Sequence, residues 1–236
     1  MTKQIRKFEN MGRTIRRYYV DQFYAINVTN ITSGSTVLDL GGNKIKKRGQ
    51  FNLDEYEFNT IYANLSLDKT PDIQIRAEYI PIKNDHFDLI ICSELLEHVL
   101  NPPKVLNEIY RVMKVGGKVL ITVPFLYNIH ADPHDYGRYT NTYWENIMES
   151  IGFKEITITK QGAFFSVLVD MMRAWANVMN KNSLRWLRWL PTYSILNLAI
   201  GFCFKRAINF DSKPSTQNHL FYGKYTTGFG ISAEKK

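Results

Sequence analysis

Two cysteines in 236 residues, Cys92 and Cys203, are too few for a disulfide framework or a four-cysteine zinc site. Both lie in apolar runs and are expected to be buried thiols. The first 30 residues lack the continuous apolar core of a secretory leader, so a reducing, cytoplasmic location is the expectation. A bilayer span needs about 20 consecutive apolar residues. The most apolar stretch, Leu190 to Phe204, is broken by Pro191, Thr192, Ser194 and Asn197, so no span is expected. There is no internal repeat and no low-complexity segment.

What is abundant is positive charge and aromatic surface. The formal net charge is +8 and 14% of the residues are aromatic. Such a balance fits an anionic membrane surface, a phosphorylated substrate, nucleic acid, or simply a basic protein. The charge is split in two. Lys3, Arg6, Lys7, Arg13, Arg16 and Arg17 crowd the start, and the run Arg16-Arg17-Tyr18-Tyr19 is a candidate to bind an anionic head group or sugar phosphate. Arg173, Lys181, Arg185, Arg188, Lys205 and Arg206 lie late, among apolar residues. No appended nucleic-acid module is visible, so nucleic acid is not the favoured partner.

The length suits one domain with an elaboration. Residues 3–30 show helical periodicity, with Ile5, Phe8, Ile15, Tyr18, Tyr19, Phe23 and Ile26 as apolar positions. Short buried strands are predicted at Thr36 to Leu40, Ile61 to Leu65, Asp72 to Ile75, Phe87 to Cys92, Lys118 to Val123 and Glu155 to Thr159. Tyr225 to Ala233 is a candidate closing strand. Asn101 and Pro102 open a helix that Gly116-Gly117 is expected to end. Thr142 to Ile151 is the next. The alternation predicts an α/β fold, a Rossmann-like and mostly parallel sheet with helices on both faces. Gly162 to Lys224 does not alternate, and is expected to be a helical insertion before the last strand. The domain reading is therefore a cap at 1–32, a core at 33–161 plus 225–236, and an aromatic, basic insertion at 162–224. Within the insertion, Arg185-Trp186-Leu187-Arg188-Trp189 has the pattern of an interfacial helix, and 185–206 is a candidate for peripheral membrane contact. The alternative is that these tryptophans fill the core or cover the substrate.

The chemistry lies at strand ends. Val37-Leu38-Asp39-Leu40 stops at Gly41-Gly42-Asn43, and glycine there lets backbone approach a ligand. By itself that pair is common to many turns. Asp88, Leu96-Glu97-His98-Val99, Pro102, Glu108, Arg111-Val112-Met113-Lys114-Val115-Gly116-Gly117 and Val123-Pro124 follow in order. Over about residues 35 to 160 and the final strand, this order resembles the class I S-adenosylmethionine-dependent methyltransferases. The resemblance implies S-adenosyl-L-methionine as cofactor. It implies that Asp39, Gly41, Gly42 and Asn43 shape the methionine loop. Ser66 and Asp68 would stand near the ribose, Ala77 and Glu78 beside the adenine, and Cys92 and Ser93 where cofactor and acceptor meet. His98 joins that wall. The chain departs from the family pattern at Asn43, Ser66 and Arg76. These departures leave open a scaffold reading, in which the fold binds no cofactor.

The run His130, Asp132, Pro133, His134, Asp135, Tyr136, Arg138, Tyr139, Thr140 resembles a subgroup associated with bacterial surface-polysaccharide or lipid-linked glycan pathways. A hydroxyl acceptor benefits from a base. His134 or His130 is the candidate, with Asp135 as its orienting partner. A loop locked by hydrogen bonds is the alternative. Without a second ligand cluster the run is not read as a metal site. The resulting expectation is methyl transfer to a small or lipid-linked acceptor, above all a sugar hydroxyl, at the cytoplasmic face of the membrane. A nucleic-acid methyltransferase is the competing enzyme reading.

Overall fold

Side chains alternate across a strand, and that alternation sorts this chain into layers. In β1 (Thr36–Leu40), Leu38 and Leu40 face one side of the sheet and Val37 the other. In β4 (Phe87–Ser93), Ile90 and Cys92 share the first side, while Leu89 and Ile91 share the second. The first side is covered by α2 (Pro102–Val112) and α3 (Asn141–Ile151). Val105, Leu106, Ile109 and Val112 recur at helical spacing and are fully buried, as are Trp144 and Met148. The second side is covered by α1 (Ile15–Asn27), through Val20, Phe23 and Tyr24. Each such buried side chain contributes about 1.5–3 kcal/mol.

The computed structural model describes residues 14–45, 47–130, 133–181 and 191–236. Its sheet has seven strands in the order β3-β2-β1-β4-β5-β7-β6. Here β2 is Asn59–Asn64, β3 Ile73–Gln74, β5 Met113–Pro124, β6 Phe153–Lys160 and β7 Gly228–Lys235. All neighbours are parallel except β7, which runs antiparallel to β5 and β6. The mostly parallel α/β architecture anticipated from the alternation is what forms.

Asn101 caps α2, accepting from the Lys104 backbone N–H at 3.2 Å, with Pro102 in the first turn as expected. The end of that helix differs from expectation. It stops at Val112, and Gly116-Gly117 lies inside β5. Met113 already pairs with Phe87, after which the register shifts. Gly116 takes a φ of +77°, which a glycine tolerates inside a bulge. Leu96-Glu97-His98 is a separate 3₁₀ turn ahead of the helix.

The segment between β6 and β7 is helical, with α4 (Phe164–Lys181), α5 (Pro191–Asp211) and the short α6 (Pro214–Gln217). Val169, Ala176, Ile200, Phe204 and Ala207 pack with Ile15 and Tyr19 of α1. Cys203 lies at that cluster's edge and is only half-buried, unlike the buried thiol expected. Arg185 to Trp189, the candidate interfacial motif, lies outside the described residues, as do Lys3, Ile5, Arg6, Lys7, Phe8, Arg13 and Asp132. Among the described residues no helix is long and apolar enough to cross a membrane.

One carboxylate ties α4 to the core. Asp170 accepts from the backbone N–H groups of Ile15 at 2.9 Å and Arg16 at 3.0 Å, at the start of α1. Asp170→Ala would orphan both donors and should destabilise the fold by about 1–3 kcal/mol. Urea unfolding checks this, with the exposed Asp68→Ala within about 0.5 kcal/mol of wild type as control.

Candidate active site

The parallel strands β1, β2 and β4 end at one edge, where a cavity of about 550 Å³ opens. Parallel sheets place ligands at that edge, and the volume is in the small-molecule range of about 300–1,000 Å³. Asp39, Gly41, Gly42 and Asn43 form one wall, and Ser66, Ala77 and Glu78 another. Ser93, His98 and His134 approach from the β4 side. Sequence reasoning placed all ten at a ligand.

The glycine turn is built to stay open. Gly41 has a φ of +86°, outside the comfortable range of other residues. A Cβ on Gly42 would lie 2.1 Å from Asp39 Oδ2. Asn64, at the end of β2, donates to the carbonyls of Gly41 at 2.8 Å and Gly42 at 3.0 Å. That clamp went unnoticed in the sequence, because nothing local pairs Asn64 with residues more than 20 positions earlier. Desolvation pushes the Asp39 carboxyl up to about 7, against the opposing charge of Lys47.

Two expected wall residues stand elsewhere. Cys92 points to the α2 side, one step out of phase with Ile91 and Ser93, and burial raises its thiol well above the usual value. Asp68 sits in an exposed 3₁₀ turn, its backbone N–H bonded to Ser66 Oγ at 3.3 Å.

Helix α1 also reaches the cavity, through Arg17, Asp21 and Tyr24. It therefore closes one side of the site and covers a sheet face at once. Arg16 is not part of a free cationic cluster, as its neighbours in sequence suggested. It is 3% exposed, and its guanidinium bonds Gln161 and both carboxylate oxygens of Glu94, with Nε to Oε2 at 3.1 Å. Desolvation would raise Glu94, but the Arg16 charge outweighs it and holds the carboxyl below its usual range. Glu94 itself adopts a φ of +50°, a strained conformation of the kind found at functional sites.

Below His134 lies a dense polar cluster. Asp135 is held bidentately by Arg138, with Nη2 to Oδ2 at 2.7 Å, and accepts from the His130 backbone N–H at 2.9 Å. It therefore locks the loop. Its nearest imidazole is His130, with Nδ1 3.6 Å from Oδ2, and not His134. His130 and Asp135 stand behind the cavity wall. Glu97 is buried, and desolvation followed by the nearby Glu94 charge pushes its carboxyl up to about 8.

Comparisons with known proteins bear on the fold. Residues 15–121 match the family described as a methyltransferase domain. An uncharacterised protein of Methanocaldococcus jannaschii is 38% identical over 74 residues, covering 28% of this chain and 32% of that protein. The ubiquinone/menaquinone biosynthesis C-methyltransferase UbiE of Vibrio vulnificus is 29% identical over 117 residues, covering 42% of this chain and 44% of UbiE. The chain thus spans less than half the length of these curated relatives. A solved S-adenosylmethionine-dependent methyltransferase from Archaeoglobus fulgidus superposes with a TM-score of 0.56 at 14% identity. That superposition covers 93% of this chain and 94% of the other. Phosphoethanolamine N-methyltransferase 2 of Haemonchus contortus, in complex with S-adenosyl-L-methionine, gives 0.54 at 14% identity, covering 100% and 60%. Identities this low establish the fold alone. The sheet order defines a Rossmann-like α/β fold, and residues 15–121 are similar to a methyltransferase domain.

The loop lock carries a pH signature. The hydrogen bonds from Arg138 hold the Asp135 carboxyl at about 2, below its ordinary value. A depressed folded-state pKa stabilises fully above about pH 4 and loses its effect as the pH falls toward 2. Asp135→Asn should lower stability at pH 6 and flatten the acid limb of a urea-midpoint profile measured from pH 6 to 2. An acid limb identical to wild type would remove this role.

Proposed function

We propose that this chain transfers the methyl group of S-adenosyl-L-methionine to a hydroxyl of a small or lipid-linked acceptor, most specifically a sugar of a bacterial glycan. The observation that carries the cofactor half is the turn at the end of β1. Gly42 leaves no room for a side chain above Asp39, and the turn opens into a cavity of suitable size. The residues present fit the group. Gly41, Gly42 and Asn43 would meet the methionine end, Ser66 the ribose, and Ala77 and Glu78 the adenine. Bound there, the cofactor supplies an electrophilic methyl carbon on a sulfonium sulfur.

The protein's own contribution is alignment, dryness and a proton acceptor. In-line displacement rewards fixed geometry. His134 lines the cavity while His130 does not, so His134 is the proposed base for the acceptor hydroxyl. Asp135, through Arg138 and the His130 backbone, holds the loop that presents it. The acceptor class rests on the resemblance of that loop to glycan-pathway enzymes. Exposed Trp175, Met171 and Phe202, with Arg206 stacked 3.6 Å over the Phe202 ring, support peripheral contact with a lipid surface.

Titration calorimetry should show micromolar binding of S-adenosyl-L-methionine and S-adenosylhomocysteine. Gly42→Ala, checked for folding by circular dichroism, should weaken both at least about tenfold, because Asp39 must move. No binding of either at millimolar concentration would overturn the enzyme reading in favour of a scaffold. For the base, His134→Ala should cut methyl transfer into lipid-linked or nucleotide-sugar acceptors by about a hundredfold or more. Cofactor affinity should be unchanged. Full turnover in that variant would sink the assignment.

A further inference from the structure

The polar loop after β5 does not meet a second ligand segment in sequence, but it meets one in space. Glu97 and His98 lie in the 3₁₀ turn after β4, and His130 lies on the far side of α2 and β5 in the chain. Folding brings one ligand atom from each within 4.8 Å of the others. His98 Nε2 is 3.7 Å from Glu97 Oε1, and His130 Nε2 is 3.9 Å from the same oxygen. The two imidazole rings stand at 89° with centroids 5.0 Å apart, so neither stacks over the other.

The tautomers follow from the other ring nitrogens. His98 Nδ1 is 2.6 Å from the His134 carbonyl oxygen, and His130 Nδ1 is 3.1 Å from that of Asn128. A carbonyl oxygen only accepts, so each Nδ1 carries the hydrogen. With Nδ1 so engaged, the remaining nitrogen of each ring, Nε2, faces Glu97 and offers a lone pair there when the ring is neutral. A backbone carbonyl that fixes the distal nitrogen is the usual support of a metal-binding histidine.

Glu97 completes the set. Its side chain is 1% exposed, and neither carboxylate oxygen has a hydrogen-bond donor among the described residues. A buried polar group without a partner is costly and calls for an explanation. The nearby guanidiniums do not answer it. Arg138 gives Nη1 and Nη2 to Asp135 and Arg16 is engaged by Glu94, while the buried Arg138 Nε makes no hydrogen bond to Glu97. With both rings neutral and the carboxyl ionised, three acceptors face one another with no donor between them.

We infer that Glu97, His98 and His130 form a binding site for a divalent transition-metal ion of the zinc class. Two imidazoles and a carboxylate suit such ions and not magnesium, which takes oxygen ligands. Tetrahedral bonds of about 2.0–2.1 Å set ligand atoms about 3.3 Å apart. The observed spacings, 3.7 and 3.9 Å to Glu97 Oε1 and all within 4.8 Å, are wider than that value, so the side chains must draw together on binding. His98 also lines the cavity, so the ion's remaining positions border the acceptor space. The second ligand cluster that the sequence does not show beside His130 is supplied in space by Glu97 and His98, so the metal-free expectation gives way.

The test uses the full chain stripped with a chelator and probed with the ion alone, so it does not depend on the methyl-transfer reading. Zn²⁺ should bind one to one with micromolar or tighter affinity, and Co²⁺ should give the visible bands of a low-coordinate nitrogen and oxygen site. Mg²⁺ should not compete. His130→Ala and the isosteric Glu97→Gln should each weaken Zn²⁺ at least about a hundredfold, whereas His134→Ala and His219→Ala should not. If Glu97→Gln fails to fold, His130→Ala decides alone. No binding at about 100 μM, or Zn²⁺ binding that survives His130→Ala, would overturn the site and leave a proton shared between Glu97 and an imidazole in its place.

Discussion

The pairing of Arg16 with Glu94 is the contact on which the rest of the site depends. One guanidinium joins α1, the residue that follows β4, and Gln161 at the exit of β6. Both partners are withdrawn from water, so each needs the other. Removing one partner of such a pair typically costs about 3–5 kcal/mol, because it strands a buried charge. The pair holds Glu94 in its left-handed conformation. That conformation turns the chain sharply out of the sheet and sets Leu96-Glu97-His98 beneath the cavity. The same pair draws α1 across the strand ends, which is why Arg17, Asp21 and Tyr24 become part of the wall.

Four acids near this edge meet four different environments. Glu94 is neutralised by Arg16 and stays ionised. Asp135 is neutralised by Arg138 and likewise stays ionised. Asp39 and Glu97 have no such bidentate partner, and desolvation pushes both upward. Asp39 lines the cavity, whereas Glu97 is buried next to the wall residue His98.

Much of the fold was legible in the chain. The apolar alternation in Val37 to Leu40 and Phe87 to Cys92, the Asn101-Pro102 helix start and the Gly41-Gly42 stop are local signals. Local signals survive being read one segment at a time. Ends were less legible. Gly116-Gly117 looks like a helix stop, yet pairing of Met113 with Phe87 carries the strand back past it. Cross-strand hydrogen bonds overrode the glycine's local preference. Cys92 and Ser93 were both read as wall, although a period of two places only one of them there.

The sequence by itself determined the order of strands and helices, the open turn after β1, and the loop that carries His134. Each depends on residues close in the chain and on propensities that hold in any context. Only the tertiary structure decided the partners. Asn64 with the glycine turn, Arg16 with Glu94, Asp170 with the start of α1, and Glu97 with His98 and His130 are, His98 apart, meetings of residues far apart in the chain. No periodicity encodes such a meeting, because it follows from how a twisted sheet stacks its edges and which charges must be paired once water is gone.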